Sequence, residues 1–195
     1  MHHSVDVART HQPRRMGEGQ IKKGVAHVPP GEGASSLWVF GELVTHKIPS
    51  QQTGGAYALF EVTTPPGAGS PPHVHHREDE AFYVLGGEYE FLLEGSALRA
   101  GPGSLLYVPK GIMHVHKNIG EGVAKMLVTQ TPGGLYECFF EEVGRPVEGE
   151  AGPRFFEEQP DVESIVATAA KYGIEIPPPV VEETQPDNTS RGAAR

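Results

Sequence analysis

Turn-forming residues punctuate the middle of this chain at intervals of roughly 8–12 residues, and that spacing limits what it can fold into. From about residue 34 onward, short apolar stretches alternate with clusters of Gly, Pro, Asn and Ser. Leu37-Trp38-Val39-Phe40 and residues 42–48 flank Gly41, and a third strand spans residues 57–62. The Gly86-Gly87 pair separates residues 79–85 from residues 88–93, as in a hairpin. Further turns at residues 94–96 and 101–103 set off residues 97–100 and 104–108, and residues 114–118 and 124–130 complete the series. Runs this short leave no room for long helices and fit an all-β barrel or sandwich. The 25 Gly and 18 Pro among 195 residues point the same way.

After residue 131 the pattern becomes helical. Leu135, Phe139, Phe140 and Val143 recur at helical spacing, with Gly144 as a stop. A second helix is expected over residues 161–171, capped by Asp161 and turning Ile165, Val166 and Ala169 inward. The expected organisation is a flexible N-terminal arm (residues 1–24), a β domain (25–131), a helical extension packed on its outside (132–176) and a disordered Pro-rich tail (177–195). His2, His3 and His11 in the arm are read as exposed residues, not as ligands.

Formal charge is −9 without a basic stripe, so nucleic acid is excluded as a partner. No apolar run approaches the ~20 residues a membrane helix needs, and the first residues lack the apolar core of a secretory leader. A cytoplasmic protein is expected. The single cysteine, Cys138, rules out an intramolecular disulfide and is expected as a buried small hydrophobe.

Residues 67–87 carry the chemistry. His73 and His75 are two apart, so on an extended strand they point to one side. Glu80 opens the apolar run of residues 82–85 and can return to the same point. Glu78 and Asp79 are its rivals. Glu80 shares strand parity with Phe82 and Val84 on an inward face, whereas Asp79 turns outward with Ala81 and Tyr83, and Glu78 belongs to the solvated loop. Residues 103–118 supply His114 after a Pro-Lys-Gly turn. Three imidazoles and a carboxylate suit a divalent first-row metal (Fe, Mn, Co, Ni, Cu or Zn) and leave positions open for a substrate. His116 has the parity of His114; it is either a partner to the ligands or substrate, or a residue facing water at the mouth of the fold. Phe82, Phe91, Leu93, Leu106, Met113, Met126 and Val128 are read as core residues on the strands, some of which could line a ligand cavity instead, and His46 as an ordinary strand residue.

These two stretches resemble the signature motifs of the cupin superfamily. The first reads G-x5-H-x-H-x4-E-x6-G over residues 67–87, and the second G-x5-P-x-G-x2-H-x3-N over residues 103–118. The resemblance implies a jelly-roll β-barrel holding one metal on His73, His75, Glu80 and His114. Residues 131–146 extend it toward quercetin dioxygenase-like single-barrel cupins. Such a relationship implies a dioxygenase that binds a flavonol-like or other enolisable phenolic substrate, with O2, and uses Glu80 to accept the substrate hydroxyl proton. Two alternatives share the ligand set: an isomerase, decarboxylase or lyase of a small carboxylate or sugar, and a non-catalytic metal or small-ligand binding module. An inward Arg or Lys near the site, such as Arg99 or Lys125, would favour the first alternative. Edge strands that need cover point to a homodimer.

Overall fold

Period-two burial governs the strands. Residues 58, 60, 62 and 64 of one strand and 124, 126, 128 and 130 of another are buried, while their neighbours are half-buried. The computed structural model describes residues 24–147 and 161–178. The expected arm up to residue 23, residues 148–160 of the expected extension and residues 179–195 of the expected tail lie outside the described residues.

The strands are β1 (Ser35–Val39), β2 (Glu42–Ile48), β3 (Ala58–Thr64), β4 (Val74–His75), β5 (Asp79–Gly86), β6 (Tyr89–Leu93), β7 (Ser96–Ala100), β8 (Leu105–Val108), β9 (His114–Asn118), β10 (Ala124–Thr131), β11 (Arg145–Pro146) and β12 (Ile174–Glu175). Helix α1 (Ser50–Thr53) precedes β3; α2 (Leu135–Val143) and α3 (Val162–Lys171) follow β10. Asp161 caps α3 by accepting from the Ser164 amide at 3.2 Å, as its sequence pattern predicts.

A seven-stranded sheet runs β11-β1-β2-β3-β10-β5-β8, a three-stranded sheet runs β7-β6-β9, and β12 pairs with β4. The expected jelly-roll barrel is met in part: the fold is mostly β, but the sheets are not closed into a barrel. After β7 the chain turns through residues 101–104 and lays β8 on β5, leaving β7 bonded to β6 alone. The two larger sheets meet through side chains, with the rings of Phe82 and Phe91 5.1 Å apart. Helix α2 buries Tyr136, Phe139 and Phe140, and Phe140 meets Phe60 edge-on at 5.5 Å.

Three residues expected inside are exposed. Cys138 lies on the outer side of α2 because Phe139 and Phe140 occupy the buried side. Val166 faces outward because Ala169 and the half-buried Ile165 make the contact of α3. Met113 precedes β9 and escapes the alternation that buries His114 and His116.

One glycine decides how the site is assembled. Gly69 pairs with Lys117, and a Cβ there would overlap the His116 carbonyl. Only a bare backbone lets the loop before His73 lie flat along β9.

Candidate metal centre

His73 and His114 come from different segments and are locked together by the backbone. Each amide donates to the other's carbonyl at 3.0 Å, which holds the rings 4.2 Å apart. His75 is placed by β4, whose partner residue is Ile174 of β12, and by the Gly111 amide donating to its carbonyl at 2.7 Å. Glu80 lies near the start of β5, opposite Gln130 on one side and Val108 on the other. The structure thus brings His73, His75, Glu80 and His114 to one buried point, with donor atoms within 4.8 Å of one another.

The chemistry of this donor set fits a metal ion. His73 Nδ1–H donates to the Pro71 carbonyl at 2.8 Å, and His114 Nδ1–H to the Ile112 carbonyl at 3.0 Å. These bonds turn both Nε2 atoms toward the cluster. His73 Nε2 and both ring nitrogens of His75 are buried without a hydrogen-bond partner among the described residues. Leaving a buried polar group unpaired costs about 1–3 kcal/mol, a cost that an ion in the cluster removes. Burial, then the imidazoles of His114 and His75, push His73 down to about 3, so it is neutral with a lone pair to offer. Burial would push the Glu80 carboxyl up, but His75, His114 and His73 together hold it down to about 2, so it is an anion. Burial lowers His114, and its hydrogen bond to Glu80 more than reverses this. His114 therefore donates Nε2–H to Glu80 Oε2 at 2.8 Å, a proton that ion binding releases.

Residues beyond the ligand set hold it in place. Gln130 donates Nε2–H to Glu80 Oε1 at 2.6 Å and is fully buried, leaving Oε2 to face the histidines. The signal for Gln130 was present in the sequence: it has the inward parity of Met126 and Val128, where a polar residue needs a partner. Glu78 corrects the expectation of a solvated loop residue. It is buried, accepts from the Tyr136 amide at 3.2 Å and lies 3.7 Å from His75 Nδ1. The first turn of α2 has amides without helical partners, and Glu78 supplies an acceptor. Asp79 does turn away, accepting from the Lys110 amide at 2.9 Å. His46 is buried against Phe60 and is not part of the cluster.

Replacing Gln130 by Leu removes the anchor of Glu80 while keeping a similar volume. Metal affinity should fall about 10–100-fold, the range for residues that orient a ligand. Titration with a competing chelator measures this, and an unchanged affinity would show that Gln130 has no such role.

His116 points inward. Its Nε2–H donates to Glu42 at 3.0 and 3.2 Å, a partner that sequence spacing did not suggest. Glu42 and His116 line the same narrow cavity as Glu80 and Tyr136. The cavity measures about 20 Å³, and Phe60, Phe82, Val128 and Phe140 supply much of its wall. Among the described residues no Lys or Arg lines it. Lys125 instead pairs with Glu61 at 2.9 Å, and Arg99 lies 3.8 Å from Glu90 beside a separate groove. No described helix is long and apolar enough to cross a membrane.

Residues 60–130 match the family model of the Cupin domain, and with this site they place the chain in the cupin superfamily. Over 110 residues it is 31% identical to quercetin 2,3-dioxygenase of Bacillus subtilis (strain 168), which spans 55% of this chain and 32% of that protein. Over 108 residues it is 33% identical to oxalate oxidase 2 of Hordeum vulgare, covering 49% of this chain and 47% of that one. The chain thus spans less than half the length of these two curated relatives. Among solved structures, KdgF from Halomonas sp. overlays with a TM-score of 0.44 at 26% identity, over 48% of this chain and 81% of that one.

Proposed function

We propose that this cupin is a metal-dependent dioxygenase of an uncharged, enolisable substrate of flavonol or other phenolic type. The observation that carries this is the cavity wall. It is apolar and aromatic, and its ionisable side chains are Glu42, Glu80, His116 and Tyr136, with no Lys or Arg among the described residues. A carboxylate or sugar phosphate buried there would find no Lys or Arg to share its charge with the ion, so part of its desolvation cost would stand uncompensated. The likeness to quercetin 2,3-dioxygenase supports the same substrate class.

His73, His75, Glu80 and His114 would hold the ion, which supplies Lewis acidity toward a substrate hydroxyl. Glu80 Oε2 is aimed at that point and receives the hydroxyl proton, while Gln130 keeps Oε1 engaged. A carboxyl held near 2 is a weak base, so it takes a proton only from a hydroxyl of raised acidity. Burial, then the carboxylates of Glu80, Glu42 and Glu78, push the Tyr136 hydroxyl well above its usual range. Tyr136 therefore keeps its proton and can donate into the cavity. At about 20 Å³ the cavity holds a water-sized molecule, so an aromatic ring enters only when side chains such as Tyr136 and Phe140 move.

That same small volume favours the second candidate, an isomerase, decarboxylase or lyase of a small carboxylate or sugar. The experiment that separates them is flavonol turnover in air by protein stripped and reloaded with Fe, Mn, Co, Ni, Cu or Zn in turn. Loss of quercetin absorbance above a His114→Ala control is expected. No loss from protein shown to hold its metal would remove the flavonol and favour the second candidate. Glu80→Gln should retain part of the metal affinity while turnover falls by about 10²–10⁴-fold, the usual contribution of a positioned base. Full turnover in that variant would remove the base role.

A homodimer belongs to the proposal. Among the described residues β8 ends its sheet with one side open, and Tyr83, Leu105 and Tyr107 stand exposed on β5 and β8. Gel filtration with light scattering checks it, and a monomer at micromolar concentration would remove it.

A further inference from the structure

The Glu42–His116 pair plays no part in the centre described above, yet it faces the same cavity. Its hydrogen bonds have a fixed direction. Thr64 Oγ1–H donates to Glu42 Oε1 at 2.6 Å, so the Thr64 oxygen is free to accept from the Tyr89 hydroxyl at 2.8 Å. Burial pushes the Tyr89 hydroxyl upward, which keeps its proton in place as that donor. The Glu42 carboxylate can only accept, so His116 meets it through Nε2–H. In the neutral imidazole this sets the tautomer and leaves Nδ1 of His116 as an acceptor. That atom is buried and has no partner among the described residues, and the residue is 7% exposed. All four residues of the chain are buried. A network this complete, ending in one unsatisfied acceptor on a residue that lines the cavity, has room in its hydrogen bonding for one more donor.

We propose that His116 Nδ1 is the specificity-determining acceptor for a second hydroxyl, or an N–H, on a small neutral ligand whose first hydroxyl meets the Glu80 cluster. Glu42 is its positioning residue, holding the imidazole in the accepting tautomer. This rests on the proposed binding of a hydroxyl compound at the metal centre. The ligand class is narrowed to molecules with a hydrogen-bond donor at each end. Analogues that carry an ether at the inner end leave Nδ1 unpaired and are rejected.

The test uses full-length, zinc-loaded protein with ¹⁵N-labelled histidine, and hydroquinone and 4-methoxyphenol as probes. The two share one phenolic hydroxyl, and in 4-methoxyphenol a methyl group replaces the hydrogen of the second; phenol, which lacks the second group altogether, controls for the added size. Long-range ¹H–¹⁵N spectra of the unliganded protein should show His116 as the Nε2–H tautomer. Hydroquinone should shift the Nδ1 resonance in the direction of hydrogen-bond acceptance; 4-methoxyphenol should not. By calorimetry hydroquinone should bind about tenfold more tightly, the scale of one buried hydrogen bond made or left unmade. In Glu42→Gln the amide can donate to Nε2 and move the proton to Nδ1, so the tenfold preference should vanish or reverse.

The Nδ1–H tautomer in the wild-type protein would overturn the proposal, as would equal affinity for the two probes. So would an Nδ1 resonance that no concentration of hydroquinone shifts, the result for an acceptor that serves only a bound water. The wild-type spectra decide this even if the variant fails to fold. Failure of the metal reading has a different signature: the ring resonances of His73, His75 and His114 would not respond to zinc, whatever His116 does.

Discussion

Replacing His114 by Ala should strip the centre of its metal. Structural zinc held by four ligands contributes about 10–16 kcal/mol in small peptides, so one ligand is worth on the order of 3 kcal/mol, or about a hundredfold in affinity. His114 is the pivot of the site. Its backbone pairs with His73, and its ring holds Glu80 Oε2 at 2.8 Å. The protein without metal loses a partner of a buried carboxylate, so its stability should also fall, by about 1–3 kcal/mol. The two effects separate in a thermal melt. Wild-type protein should gain melting temperature when metal is added, because only the folded state presents the cluster. The variant should start lower and gain little. A variant that keeps one ion per chain with wild-type affinity would remove His114 from the ligand set.

Replacing Phe91 by Ala should produce the largest loss of stability without touching a proposed ligand. Phe91 is fully buried, with its ring 5.1 Å from Phe82 and 6.0 Å from both Tyr89 and His116. It fills the space where the three-stranded sheet faces the seven-stranded one. Removing a buried aromatic ring costs about 3–5 kcal/mol, a large share of the ~5–15 kcal/mol that holds a typical domain together. Leu92, the next residue on β6, points the other way and is 43% exposed. Leu92→Ala should cost about 0.5 kcal/mol or less. Chemical denaturation of the two variants compares them directly, through midpoints at constant slope. Equal losses would mean that β6 does not pack as described.

The two predictions rest on different layers of the molecule, and the layers were not equally readable in the residue order. Strand parity is local. It correctly put Glu80, Phe82 and Val84 on one face and Asp79 on the other, because the pleat alternates side chains whatever the sheet packs against. The Asp161 cap is also local, a side chain meeting an amide three residues on. The convergence of His73, His75, Glu80 and His114 follows from spacing joined to the two motifs, since His73 and His75 sit on or beside β4 while Glu80 and His114 lie at the starts of β5 and β9.

What spacing could not reach depends on which surface lies opposite. The polar neighbours of Glu78 predict a solvated residue; its partner, the amide of Tyr136, lies 58 residues away. Helical periodicity predicts Cys138 and Val166 as buried, because it gives an apolar side but not its edges. Gln130 and Glu42 carry inward parity, yet a polar residue at an inward position has no assigned role until its partner is known. Those partners, Glu80 and His116, lie 50 and 74 residues away along the chain. Closure of the barrel was likewise a question of whether β7 and β8 bond to each other, and the turn between them sends β8 to β5 instead. Local sequence thus carries the alternation, the caps and the ligand types, because those interactions span a few residues. Burial of the polar residues, the tautomer of His116 and the openness of the sheets were decided by tertiary packing, because each depends on a group that the chain brings back from far away.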